Sequence, residues 1–221
     1  MRRLIVITFL LAAAVTARAD HHLSHRFETS LPLRNVKRVV VEIPAGEIRV
    51  HNGTSNDIVA SGSIRCDYDD DDDREGRQRG IDDIDVEIYA NGSEAIVRRH
   101  FGRHAHGWRM TKLVGVDLDL AVPPGVDIAF ETKFGEIRLE GTFGDIDTDL
   151  RAGEIHVETP RANVKELNAS CRIGEVHTHL GDRIIEREGV FPGTTHFVNA
   201  NGRTTMNLHT TVGEVHVTLT N

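Results

Sequence analysis

The sequence predicts an all-β fold, a solenoid-like stack of short strands, and three observations carry that prediction. A tripeptide of Gly, an acid and then Ile or Val occurs six times: Gly46-Glu47-Ile48, Gly135-Glu136-Ile137, Gly144-Asp145-Ile146, Gly153-Glu154-Ile155, Gly174-Glu175-Val176 and Gly213-Glu214-Val215. With Gly135, Gly153, Gly174, Gly193 and Gly213 as one register, the steps are 18, 21, 19 and 20 residues, and halfway points at Gly144, Ala162, Arg183 and Gly202 each follow nine residues later. Finally, no segment beyond the N-terminus holds a sustained helical period with start and stop signals. A repeat of about twenty residues, two short strands and two turns, is the signature of a stacked-repeat architecture. A right-handed β-helix is one form of it; an antiparallel β-sandwich is the alternative.

Taken in order, the chain opens on a three-part secretory signal. Met1-Arg2-Arg3 is basic, Leu4 to Val15 is apolar but for Thr8, and Ala17-Arg18-Ala19 places small residues at a cleavage site. The protein is expected to be exported, periplasmic or secreted after cleavage near Ala19. No Cys stands directly after the site, where Asp20 lies, and no later apolar run approaches the length of a membrane span. Cleavage removes three arginines and no acid, which takes the net charge from −8 to −11 over the remaining 202 residues. An acidic surface of this kind repels nucleic acid, and nucleic-acid binding is not expected.

Residues 20–35 read as an N-terminal extension and 36–221 as a single β-repeat domain. Val36 to Ile43, Glu47 to His51, Asp57 to Arg65, Ile84 to Tyr89, Ala95 to Arg99 and Val114 to Val122 are short, rich in Val and Ile, and separated by turn residues such as Pro44-Ala45-Gly46, Asn52-Gly53 and Pro123-Pro124-Gly125. Two insertions, at about 67–83 and 100–110, read as exposed loops. The first, between Asp69 and Asp83, is the one helix candidate, with little apolar surface to bury.

Strand alternation assigns faces within each rung. Positions two and four after the Gly (Ile137 and Leu139, Ile155 and Val157, Val176 and Thr178, Val215 and Val217) point inward. Positions one and three before it (Phe134 with Thr132, Ala152 with Leu150, Ile173 with Cys171, Val212 with Thr210) are assigned inward as well. The Gly fits a corner that needs positive φ or close backbone approach. Outward, position one is Glu136, Glu154, Glu175, Thr194 and Glu214, and position three is Arg138, His156, His177, His196 and His216. The final strand, Val215 to Thr220, is left as an uncapped edge, so self-association or a covering loop is expected.

The recurring Gly-acid-aliphatic units, the exported start and the closing phrase Thr210-Thr211-Val212-Gly213-Glu214-Val215-His216-Val217 resemble the bacterial putative-adhesin domain family of unknown function. The resemblance runs from about Val36 to the end and implies a solenoid-like, toast-rack-like fold of stacked β rungs. The Asp-rich and His-rich insertions depart from it. It brings no catalytic residues, so the chemistry rests on the residues present.

Three groups could hold a metal. Asp69, Asp70, Asp71, Asp72 and Asp73, with Asp67, offer the oxygen ligands that Ca²⁺ takes, without the spacing of an EF-hand. His100, His104 and His106, beside Trp108, offer imidazoles for Zn²⁺, Cu²⁺ or Ni²⁺, without the H-E-x-x-H motif. His156, His177, His196 and His216 form an outward column in which neighbours could share a metal or change charge together under acid. Asp117, Asp119 and Asp127 are carboxylates a polysaccharide-active solenoid could use, but Asp117 and Asp119 fit ordinary outward strand positions, and no nucleophile elbow, phosphate loop or dinucleotide fingerprint accompanies them. Cys66 and Cys171, the two cysteines, allow a disulfide in an oxidising compartment. The expectation is a non-enzymatic, adhesin-like module that binds protein or glycan of the cell envelope and needs no cofactor. The alternatives are a divalent-metal-binding or pH-responsive envelope protein and, third, a polysaccharide-active enzyme.

Overall fold

A computed structural model describes residues 22–67, 74–103, 114–180, 183–186 and 193–221. In chain order the strands are β1 (His22–Pro32), β2 (Arg38–Glu42), β3 (Ala45–Asn52) and β4 (Asp57–Asp67), then helix α1 (Arg74–Asp82). β5 (Ile84–Asn91), β6 (Glu94–Phe101), β7 (Val114–Val122), β8 (Asp127–Phe130) and β9 (Phe134–Glu140) follow. β10 (Ile146–Pro160) leads through a 3₁₀ turn to β11 (Val164–Leu180), and β12 (Arg183–Glu186), β13 (Gly193–Val198) and β14 (Thr204–Thr220) complete the chain. The all-β class is as the repeat predicts.

The strands form two faces that share three long members. On the front face β1, β4 and β7 pair antiparallel, and β7, β3, β9, β10, β14 and β11 then run parallel. On the back face β5 pairs antiparallel with β6, and β6, β2, β8 and the first half of β10 run parallel. β10, β11 and β14 belong to both faces because each turns a corner at its Gly. Gly153, Gly174 and Gly213 have φ of 138°, 139° and 135°, and Gly46 and Gly135, in the same row, have 146° and 123°. A Cβ at any of the five would overlap a backbone carbonyl oxygen of the next rung. Glycine alone permits both the dihedral and the approach.

The core fills the space between the faces. Ile48, Ile137, Ile155, Val215 and Val176 line it from the front, and Val39, Ile128, Ile146, Met206 and Leu167 from the back, all within 1% of complete burial. Each such side chain contributes roughly 1.5–3 kcal/mol of transfer free energy. β1 packs against β5 at the antiparallel end, with α1 beside them. Residues 22–32 are therefore a strand of the sheet rather than an extension: Leu23 and Phe27 alternate inward and join the core. α1 occupies the predicted helix candidate, and Ile81, fully buried, is the anchor that the charged composition around it conceals.

Three expectations about the rungs are corrected. The residue before the corner Gly faces solvent: Phe134, Ile173 and Val212 are 52%, 45% and 43% exposed, whereas Thr132, Leu150, Cys171 and Thr210 are buried as assigned. The corner shifts the phase of alternation, so residues on either side of the bend project outward. The Gly193 rung does not join the stack. β13 runs antiparallel to β11, with Gly193 opposite Cys171 and His196 opposite Asn168. Finally, β14 is not an edge. It lies between β10 and β11 and pairs with both along nearly its whole length.

Candidate functional site

The corner row places five Gly units side by side, in the spatial order Gly46, Gly135, Gly153, Gly213 and Gly174. The outward residues then form two columns by register alone. Glu47, Glu136, Glu154, Glu214 and Glu175 make an acidic column, and Arg49, Arg138, His156, His216 and His177 run beside it. Gly144 of the sixth tripeptide lies outside this row, where its neighbour Ile146 starts β10 on the back face.

Each basic group turns back to the acid two residues before it. Arg138 Nη2 lies 2.5 Å from Glu136 Oε1, and Arg49 Nη2 lies 3.8 Å from Glu47 Oε1. His156 Nε2 donates to Glu154 Oε2 at 2.9 Å and lies 3.4 Å from Glu136 Oε1. His216 Nε2 donates to Glu214 Oε2 at 2.8 Å, and His177 Nε2 lies 3.1 Å from Glu175 Oε2. The acids of neighbouring strands, about 4.8 Å apart, thus each meet a polar partner, Arg49 and Arg138 offsetting the charge of Glu47 and Glu136. The imidazoles also stack. His156 and His216 have ring centroids 4.7 Å apart and 3° from parallel, and His216 and His177 are 4.8 Å apart at 19°. Two groups of ligand atoms converge closely enough for an ion: His177, Glu214 and His216, and Glu136, Glu154 and His156.

Along the corner, next to the acidic column, runs an apolar row. Ala45, Phe134, Ala152, Val212 and Ile173 are aligned neighbours across the five strands. Its three large members are the exposed side chains that alternation assigned to the core. The signal that could have located them is the corner Gly itself, since a bend of that φ breaks the period of two.

The other sequence-predicted residues go elsewhere. His196 leaves the column with β13, and its Nδ1 donates to Asn168 Oδ1 at 2.8 Å. His100 is exposed on β6, 3.9 Å from Glu87 Oε2. His104, His106 and Asp69 to Asp73 lie outside the described residues. Asp117 is held by Arg65 and by the Ser63 hydroxyl, Asp119 accepts from His51 Nε2 at 2.8 Å, and Asp127 Oδ1 accepts from the Asp145 backbone N–H at 2.8 Å. All three are tied into strand and turn pairing. Cys66 and Cys171 are buried on different strands, and no disulfide joins them. Cys171 Sγ donates to the Gly213 carbonyl at 3.1 Å, and burial, with Glu214 nearby, pushes its thiol up from the ordinary value.

The fold and the ladder define an all-β protein of parallel Gly-cornered rungs with one charged, imidazole-lined face. No family model matches the chain, and no curated protein matches it. Among solved structures it is similar to a putative cell adhesion protein from Clostridium sporogenes, at 8% identity and a TM-score of 0.46, over 89% of this chain and 100% of that one. It is also similar to a putative adhesin from Parabacteroides merdae (8% identity, TM-score 0.28, 87% and 76% covered) and to one from Bacteroides fragilis (8% identity, TM-score 0.24, 88% and 97% covered). The described residues contain no helix long and apolar enough to cross a membrane.

Proposed function

We propose that the chain is an exported, non-enzymatic interaction module of the cell envelope, adhesin-like in action, that binds protein or glycan through its front corner. The observation that carries this reading is the exposed apolar row Phe134, Val212 and Ile173 beside the Glu column. Large apolar side chains in a contiguous exposed row, rimmed by charge, mark an interaction surface. An aromatic anchor within a polar rim is also the anatomy of binding hot spots. Asp117, Asp119 and Asp127 are each hydrogen-bonded within the fold, an arrangement that suits a binding module.

The test is binding of the purified chain to isolated bacterial envelopes and to a glycan array, compared with the Phe134→Asp, Val212→Asp and Ile173→Asp variants. Each variant is expected to lose at least tenfold in affinity with an unchanged circular dichroism spectrum. Equal binding by all three overturns the assignment of this surface, and release of cleaved glycan overturns the non-enzymatic reading. The stacked imidazoles favour a second reading, a pH-responsive face. His156, His216 and His177 stand beside one another, facing Glu136, Glu154, Glu214 and Glu175. Replacing His156, His177 and His216 by Gln is expected to abolish any pH dependence of binding, and an unchanged pH dependence refutes that reading.

A further inference from the structure

We propose that His177, His216 and Glu214 form a Zn²⁺ site on the front face, at the junction of β11 and β14. Ligand atoms of these three residues lie within 4.8 Å of one another, and all three side chains are half-buried. Tetrahedral Zn²⁺ with bonds of about 2.0–2.1 Å places its donors roughly 3.3 Å apart. The His216 Nε2 to Glu214 Oε2 separation of 2.8 Å is already of that order. Closure requires His177 Nε2 to leave Glu175 Oε2, 3.1 Å away, and its ring to turn out of the stack so that both imidazole planes meet at the ion. A proton now bridges the His216 imidazole and the Glu214 carboxylate, and a metal would take its place.

Two features select this group. The imidazoles are brought to adjacent strands, because His177 and His216 are register partners in a parallel ladder. Such alignment lowers the ordering cost of bringing two donors to one ion. The donor set also suits the metal: two imidazoles and one carboxylate fit a divalent transition ion rather than Ca²⁺ or Mg²⁺, which take oxygen ligands. The second group, Glu136, Glu154 and His156, has one nitrogen donor. Its Glu136 is already neutralised by the Arg138 guanidinium 2.5 Å away, which competes with any cation. Three protein ligands leave a fourth position open to water or to a donor from a bound partner.

The experiment is calorimetric titration of Zn²⁺ into the purified metal-free chain, with thermal unfolding and Co²⁺ absorption as second and third readouts. Saturable one-to-one binding, a raised melting temperature and the visible bands of tetrahedral Co²⁺ are expected. His177→Gln, His216→Gln and Glu214→Gln should each weaken binding by at least the ~10–100-fold that losing even an outer-shell group costs. The combined variant His100→Gln, His104→Gln and His106→Gln should bind as the parent does. The proposal fails if the parent shows no saturable Zn²⁺ binding. It also fails if binding persists unchanged in the His177→Gln, His216→Gln double variant, or disappears in the His100→Gln, His104→Gln, His106→Gln variant. Circular dichroism of each variant separates loss of the site from loss of the fold.

Discussion

Gly153→Ala places a single methyl group at the middle of the corner row, and its cost follows from two separate terms. Gly153 has φ of 138°, a region that L-residues occupy only under strain. Holding Ala there costs about 1–3 kcal/mol. The added Cβ would lie 2.8 Å from the carbonyl carbon of Gly135 and closer still to its oxygen. Both are backbone atoms fixed by pairing on either side, so relief requires the β9–β10 ladder to part. Overpacking of this kind costs about 1–3 kcal/mol, and the sum is about 2–6 kcal/mol against a total stability of about 5–15 kcal/mol. At about 2–4 °C per kcal/mol for a chain of this size, the melting temperature should fall by about 4–24 °C. The matched control is Gly115→Ala on β7, where an added Cβ has nothing within 4 Å. There the change should be neutral or stabilising by up to about 1 kcal/mol. Urea unfolding followed by circular dichroism measures both. If Gly153→Ala falls within about 0.5 kcal/mol of the parent, the range of ordinary surface substitutions, the corner argument is wrong.

Ile155→Ala removes a fully buried side chain from the front of the core and should cost about 2–5 kcal/mol by chemical denaturation. A chain ending before Thr204 loses β14, so β10 and β11 each lose a partner. It should show no cooperative unfolding, whereas a soluble, cooperative product would mean that β14 is the dispensable edge the sequence suggests. The Cys171 thiol, raised by burial, should resist alkylation at pH 8 in the native chain and react readily in denaturant. The sign for stability is the same: above about pH 8.5, the ordinary thiol value, only the unfolded thiol ionises freely. Stability is therefore expected to decline as pH rises through that range, and a Cys171→Ser comparison reads the contribution.

The composition of each rung was legible because it rests on local rules. Ile137, Ile155, Val176 and Val215 were placed inward, and Glu136, Glu154, Glu175 and Glu214 outward, by alternation alone. The same rule failed for Phe134, Ile173 and Val212, since alternation is a property of straight strands and these residues precede a bend. β1 was hidden for another reason: Leu23 and Phe27 do alternate inward, but His22 to Pro32 mixes polar residues with few aliphatic ones, and its strand is completed by pairing with β4. His196 fits the spacing of the column, yet Gly193 lacks the positive φ of the other corners. Its strand turns antiparallel, and the imidazole goes with it.

What the sequence determined by itself is the unit: a Gly that bends, an aliphatic that is buried and an acid and a base that face water. Those properties depend on dihedral preference and on the period of the strand, and both are written within a few residues. Only the tertiary structure decided the order of the units. β14 enters between β10 and β11, and this places His216 between His156 and His177. Its Gly-Glu-Val-His phrase matches that of β11 residue for residue, so either neighbour satisfies the same local rules. Parallel pairing is non-local, and the choice between equivalent partners is made by burial of the whole strand on both edges. That choice turned an uncapped end into an interior strand and three separate histidines into one stack.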